Sequence, residues 1–301
     1  MTDSLERKAL EELKEALKAQ VQWTKVHAAE YLIRMGYAER VKKEFLREND
    51  LYHTRPKYRI GIWRVLAKAE TEPEQKNQWR RKILEAFSDQ NGPDQLHAIE
   101  TLAKLKLSPL AKCPEATQKA LTSKDRNFNV YAIWATAYDS DQTLHSKRQE
   151  LLNIAISDPG KIIRKAGAFG LRELGSFTSG QWVLLASKAL MEPAESGLRN
   201  CLLNTAFVSF REESGETGTF RKIREEMLRG HEFFSFETRI DLALSLAERG
   251  TVAELPLLQS FLNNEGIPDK YEGGNMQATE IRTAAAFAIL KIKQISGGRR
   301  G

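Results

Sequence analysis

Two His-x-x-Glu sequences carry the residue types of a metal or acid–base site. His27 and Glu30 form the first, and His97 and Glu100 form the second. An imidazole and a carboxylate one helical turn apart can bind a transition metal or share a proton during catalysis. The surrounding sequences, "VHAAEYLIRMG" and "LHAIETLAKLK", are also alike. Whether these pairs are chemical sites therefore depends on the elements that position them.

One sequence template recurs eight times along the chain. In each copy, small or apolar residues fall four, five, eight and eleven positions after the first residue, which is one face of an α-helix. The clearest copies are "IRKAGAFGLRELG" and "IRTAAAFAILKIK". The copies begin at intervals of 34 to 43 residues, at Thr24, Tyr58, Asp94, Phe128, Ile163, Leu198, Thr238 and Ile281.

A second amphipathic segment separates successive copies, so each repeat is predicted to be a helical hairpin. Each hairpin exposes an apolar flank that only the next hairpin can cover, which predicts one stacked array over residues 1–296. Residues 297–301 are predicted to form a flexible tail. The charged segment from Asp3 to Gln20 is expected to cap the start of the array. Glycines are expected at helix C-termini, where a left-handed residue is favoured: Gly36, Gly175 and Gly250.

This pattern resembles the HEAT repeat family, close kin of the armadillo repeats, over nearly the whole chain. The best match is "LLNIAISDPGKIIRKAGAFGLRELG", which begins at Leu151. The resemblance implies an all-α fold, a right-handed α-α superhelix of about eight hairpins whose second helices line the concave surface. It also implies a ladder between neighbouring repeats, formed by an aspartate of the turn and an arginine of the second helix, and Asp158 and Arg164 match the spacing of these two residues.

The repeat answers the question about the histidines. Helices stack about 10 Å apart, so pairs in repeats one and three would lie roughly 20 Å from each other, too far to share a metal. Either pair alone gives two ligands where a catalytic zinc has three. The sequence therefore favours side-chain pairs on a helix surface, and we predict no metal ligands, no catalytic residues and no cofactor.

The positions three, six and ten residues into each copy lie off the packed face and are predicted to line the concave surface. In the fifth copy they include Phe169 and Glu173. Cations and aromatic residues, the side chains that dominate binding interfaces, concentrate in the first four copies. The predicted partner-binding residues are Arg34, Arg64, Lys68, Lys104, Tyr131, Trp134 and Tyr138.

Trp134 has two interpretations. As part of a binding groove, its replacement by alanine should weaken partner binding and leave folding unchanged. As a core residue that fills a wide spot between small neighbours, its replacement should impair folding.

These features predict a non-catalytic scaffold that binds a protein or a peptide. The alternative is a nucleic-acid-binding protein with glycosylase-like activity, since the HEAT-like alkylpurine DNA glycosylases grip DNA with a basic, aromatic concave face. The chain holds 46 lysines and arginines against 40 acidic residues, a net charge of +6. The charges are interleaved, and this mixture is typical of a solvated surface. No membrane insertion is expected, and two cysteines without a CxxC motif favour the cytoplasm.

Overall fold

The computed structural model describes residues 2–232, 235–266 and 274–298. Helix makes up 79% of the structure, and the described residues contain no strand, which confirms the predicted all-α class. In the described part of the chain, the α-helices are α1 Thr2–Ala19, α2 Gln22–Arg34, α3 Ala38–Tyr52, α4 Tyr58–Ala69, α5 Pro73–Ser88, α6 Gln95–Lys104, α7 Pro114–Leu121, α8 Arg126–Thr136, α9 Asp141–Ser157, α10 Lys161–Leu174, α11 Ser179–Met191, α12 Gly197–Ser209, α13 Thr217–Arg229, α14 Phe236–Arg249, α15 Leu255–Leu262 and α16 Gly274–Gly298. Short 3-10 turns are Glu212–Ser214, Gly230–Glu232 and Val252–Glu254.

The chain divides into two compact units. The middle unit is Ala38–Lys188, and the end unit joins Met1–Tyr37 to Ala189–Gly301. One continuous array over residues 1–296 stays a prediction. Of the predicted tail, residues 297 and 298 belong to α16, and residues 299–301 lie outside the described residues. Among the described helices, none combines the length and apolar character that a membrane crossing requires.

In the middle unit, the second helices of successive hairpins pack against one another. Helix α4 contacts α6, α6 contacts α8, and α8 contacts α10, while α3, α5, α7 and α9 pack against the same helices. Glycine lets α10 approach α9 closely. A Cβ atom on Gly167 would lie 3.2 Å from the backbone nitrogen of Ala155 and 3.3 Å from the carbonyl oxygen of Leu151. The small residues of the template are therefore points of close helix contact.

In the end unit, the first hairpin packs on the last helix of the chain. Helices α12, α14 and α16 follow one another, and α16 also contacts both α1 and α2. Leu13 and Leu17 of α1 are buried. The expectation that α1 caps an array stays a prediction, and α1 is covered by α16 as well as by α2. The apolar flank that each hairpin must bury favours this contact.

Glycine ends two of the three helices in the expected way. Gly36 and Gly175 have φ angles of +91° and +61°, which L-residues rarely adopt. Gly250 follows α14 with a φ angle of −69°, which any residue can adopt. Glycine is favoured at this position by the lack of space for a side chain. A Cβ atom there would lie 2.5 Å from the carbonyl oxygen of Leu246.

Ion pairs between a turn aspartate and an arginine of the preceding second helix link neighbouring hairpins. Asp158 pairs with Arg126 of the preceding hairpin. Burial raises the pKa of Asp158, but the backbone N–H of Gly160 and the guanidinium of Arg126 outweigh burial and lower it. Arg164 donates from Nε to the carbonyl oxygen of Ala155 at 2.8 Å. Arg164 thus contacts the first helix of its own hairpin, while Arg126 at the start of α8 reaches the turn aspartate of the next hairpin.

The same linkage recurs at Asp94, and it supports a prediction. The carboxylate is 1% exposed, accepts from Arg59 Nε at 2.7 Å, and accepts from the backbone N–H of Lys57. We expect Asp94→Ala to lower the free energy of unfolding by about 1.5–3 kcal/mol, the usual value of hydrogen bonds to a charged group. Urea denaturation will measure this loss, with the exposed Asp50→Ala as the matched control. Equal stabilities of the two variants would contradict the prediction.

Candidate functional site

Second helices α6, α8 and α10, with the turn that follows α8, bring cationic and aromatic side chains together in the middle unit. We call this group the cation–aromatic face and define it as Lys104, Tyr131, Tyr138, Phe169 and Arg172. Each of the five is half-buried. These helices hold the face rigidly because they pack directly on one another.

Trp134 lies beneath this face and supports it. Its side chain is 1% exposed, and its Nε1 donates to the hydroxyl of Tyr138 at 3.1 Å. The ring of Phe169 meets it edge to face, with centroids 5.5 Å apart, and the ring of Tyr131 lies 6.4 Å away. Gly170 makes room for the indole, since a Cβ atom there would lie 3.3 Å from Trp134 Cγ. Three half-buried rings are therefore fixed in place by one buried ring.

Two cations lie close to the ring of Phe169. Lys104 Nζ is 5.9 Å from the ring centroid, and Arg172 Cζ is 4.9 Å from it. Both distances are within the range of cation–π attraction. The sequence placed Phe169 on the predicted surface but did not select it as a binding residue. Arg172 was missed because it falls nine positions into its copy, outside the three positions that were considered.

Glu100 forms an ion pair with Lys104 of the face. Lys104 Nζ donates to its carboxylate at 2.7 Å. Burial raises the pKa of Glu100, but Lys104, Arg64 and His97 together outweigh burial and lower it. Arg64 is 2% exposed, and its Nη1 lies 3.4 Å from the hydroxyl of Thr101. This arrangement keeps Glu100 ionised beside Lys104.

The two tyrosine hydroxyls are hydrogen-bond donors at neutral pH. Burial, followed by the Glu100 carboxylate, raises the pKa of Tyr131. Burial also raises the pKa of Tyr138, against the opposing hydrogen bond from Trp134, and Glu173 adds to the rise. Because both values lie above the ordinary tyrosine value near 10, both phenols keep their protons.

The seven residues that the sequence selected differ in burial and in the unit to which they belong. Lys68, Lys104, Tyr131 and Tyr138 are exposed or half-buried, whereas Arg64 and Trp134 are buried. Arg34 belongs to the end unit, where it pairs with Glu248 and lies 4.6 Å above the ring of Phe287. Their roles in binding a partner stay predictions, but Arg64 and Trp134 would act from inside the packed helices.

One of the three positions that were expected on the surface is often buried. Residues six positions into a copy are covered in four copies, because a neighbouring second helix lies over that flank. By contrast, residues ten positions into a copy are exposed or half-buried in all eight copies. The four covered residues are Arg64, Trp134, Asn204 and Phe287.

The His-x-x-Glu pairs have different surroundings in the two units. His27 Nδ1 lies 3.0 Å from a carboxylate oxygen of Glu280, which belongs to α16. His97 is half-buried in the middle unit. In the part of the chain that the structure describes, no cluster of three or more histidine, cysteine, aspartate or glutamate side chains could hold a metal ion.

His97 gives the protein a predictable pH dependence. Burial lowers the pKa of His97, and Lys57 and Lys104 lower it further against the nearby carboxylates. The unfolded chain therefore binds a proton more readily than the folded one, so stability should fall as the pH drops below about 6.5. We expect the urea midpoint to fall between about pH 7.5 and about pH 5.5, and to fall less in His97→Gln.

The exposed His145→Gln is the control for this measurement, because its imidazole is already in water. It should keep the full pH dependence of the original protein. Identical slopes for His97→Gln and the original protein would show that other groups cause the dependence.

No family model, curated protein or solved structure matches this chain.

Proposed function

We propose that this chain is a non-catalytic, HEAT-like helical-repeat scaffold that binds a protein or peptide partner on the cation–aromatic face of its middle unit. The observation that carries this proposal is the set of three half-buried rings on buried Trp134, flanked by Lys104 and Arg172. Aromatic and arginine side chains that are held rigidly and surrounded by packed neighbours supply most of the energy of protein interfaces.

The packing of hairpins supports the repeat part of the proposal. Second helices follow one another in each unit, and ion pairs such as Arg59–Asp94 and Arg126–Asp158 connect neighbouring hairpins. A HEAT-like array would use this packing to hold one face of its second helices available to a partner. The half-buried residues of α6, α8 and α10 occupy that face.

A protein partner fits this face better than a nucleic acid. Glu100 and exposed Glu173 lie on the same helices as Lys104 and Arg172, so the charge of the surface is mixed. Nucleic-acid binding depends on several cations that contact successive phosphates. Acidic side chains among those cations would repel the phosphates.

Affinity capture with matched variants tests the proposal. Phe169→Ala and Arg172→Glu change the face, whereas Phe128→Ala and Lys119→Glu make the same changes away from it. Phe128 packs toward Phe87 of α5, and Lys119 lies on α7. We expect the face variants to bind a captured partner at least about tenfold more weakly, a loss of about 1.4 kcal/mol, and the controls to bind normally.

Capture is done from an extract of the source cells, with and without nuclease. A partner that survives nuclease and depends on Phe169 supports the scaffold. Retention that requires intact nucleic acid, with an affinity that falls steeply with salt, would instead establish the nucleic-acid alternative. Equal binding by face and control variants would reject the cation–aromatic face.

A further inference from the structure

We infer that the partner segment bound at the cation–aromatic face is acidic and carries an apolar or aromatic side chain that packs on Phe169. This inference rests on the proposed function, and it specifies the chemistry of the partner. It follows from the hydrogen-bonding roles, the charges and the exposure of the five residues that define the face.

The polar groups at the centre of the face are donors. Tyr138 already accepts a hydrogen bond from Trp134 Nε1, so its own O–H proton is available to an acceptor. The raised pKa of Tyr131 keeps its phenol protonated as well. Lys104 and Arg172 add N–H groups and positive charge close to Phe169. A surface of donors and cations complements a ligand of acceptors and negative charge, which describes carboxylate side chains.

Arg172 is well placed to bind a carboxylate. Its guanidinium lies 4.9 Å from the centre of the Phe169 ring, an arrangement that fixes the side chain. A guanidinium has a planar set of N–H groups whose geometry matches that of a carboxylate. Phe169 remains half-buried beside it and offers apolar surface. One acidic and one apolar side chain, close together in a partner segment, would satisfy both residues.

Two acidic residues beside the face limit where the negative charges of the partner can lie. Glu173 is exposed next to Arg172 in the sequence, and Glu100 holds Lys104 at 2.7 Å. A peptide can place a carboxylate beside a cation and a neutral residue beside Glu173. A phosphate backbone has a charge at every step and cannot avoid Glu173. The mixture of charges therefore favours an acidic peptide over a polyanion.

Selection from a library of random short peptides displayed on phage tests this inference with the full chain as bait. The original protein should enrich sequences that combine aspartate or glutamate with phenylalanine, tryptophan or leucine. The Phe169→Ala protein should lose that enrichment, while Phe128→Ala should keep it. Circular dichroism and thermal melting of each variant confirm that the lost enrichment does not reflect unfolding.

The selected consensus peptide then gives a charge-swap test. Changing its glutamates to glutamines should weaken binding at least about tenfold, which corresponds to about 1.4 kcal/mol. Arg172→Glu should reject the acidic peptide and bind its lysine-substituted version better than the original protein does. Tyr131→Phe removes one donor while keeping the ring, and it should weaken binding of the glutamate peptide more than that of the glutamine peptide.

The outcomes separate this inference from the proposed function. Enrichment of neutral or basic peptides that is lost in Phe169→Ala would overturn the acidic partner and leave the face as a binding site. Enrichment of acidic peptides that persists in Phe169→Ala would overturn the inference by placing their site elsewhere. If the original protein enriches no common sequence, the inference fails, while partner capture continues to test the scaffold function.

Discussion

Replacing Trp134 by alanine is expected to lower the free energy of unfolding by about 3–5 kcal/mol, the usual cost of truncating a large buried aromatic residue. The indole is 1% exposed and is enclosed by Phe169, Gly170 and Tyr138. Truncation would leave a cavity between α8 and α10 and would remove the hydrogen bond to Tyr138. Urea denaturation followed by circular dichroism will measure the loss.

Trp79→Ala is the matched control for this prediction. Trp79 is half-buried on α5, where Lys82 Nζ lies 4.8 Å from its ring. Because part of this side chain is exposed whereas Trp134 is fully buried, its loss should cost clearly less than that of Trp134. A Trp134→Ala protein that unfolds like the original one would show that the tryptophan does not support the face. It would also restore the sequence-based interpretation in which Trp134 contacts the partner.

The burial of Trp134 also determines which variants can test binding. Phe169 and Tyr138 depend on the indole for their positions, so Trp134→Ala should disturb binding and folding together. Phe169→Ala is the cleaner probe because its ring is half-buried and borders the cations directly. A loss of binding in a folded Phe169→Ala protein can therefore be assigned to the face.

The sequence predicts the helices well because their apolar residues repeat with the helical period. It cannot show which flank of a helix a neighbouring helix will cover. Trp134 and Phe169 occupy the same position in successive copies, yet one is buried and the other is half-buried. Their difference depends on the packing of α8 and α10, where Gly170 leaves room for the indole. The template describes each copy by itself, so it contains no information about contacts between copies.

The contact between the first and last hairpins shows the same limit over a longer distance. His27 and Glu280 lie 253 residues apart in the chain, but their side chains meet in the end unit. Arg34, one of the predicted partner-binding residues, lies with its guanidinium over Phe287 of α16, a contact that the template does not reveal. Each hairpin has a flank suited to stacking, so the repeat pattern permits this pairing without specifying which hairpins meet.

Phe287→Ala is expected to lower the stability of the end unit by about 3–5 kcal/mol and to release the first hairpin. Phe287 is 0% exposed, stacks on Tyr31 with centroids 4.8 Å apart, and lies beneath Arg34. Hydrogen exchange should show faster exchange in α1 and α2 and little change in α4–α10. Hydrogen exchange can distinguish these two sets of helices because separate parts of a protein open with separate free energies.

Phe207→Ala distinguishes release of the hairpin from general loss of stability. Phe207 is 1% exposed in the same unit, but it stacks on Phe220 of α13 and not on the first hairpin. It should cost a similar free energy and leave α1 and α2 better protected than Phe287→Ala does. A double-mutant cycle between Tyr31→Ala and Phe287→Ala should give a coupling of about 0.5–1.5 kcal/mol, the value of an aromatic pair beyond its buried area. Zero coupling, with unchanged protection of α1 and α2, would mean that the first hairpin is held in the end unit by other contacts, such as Arg282 with Glu12.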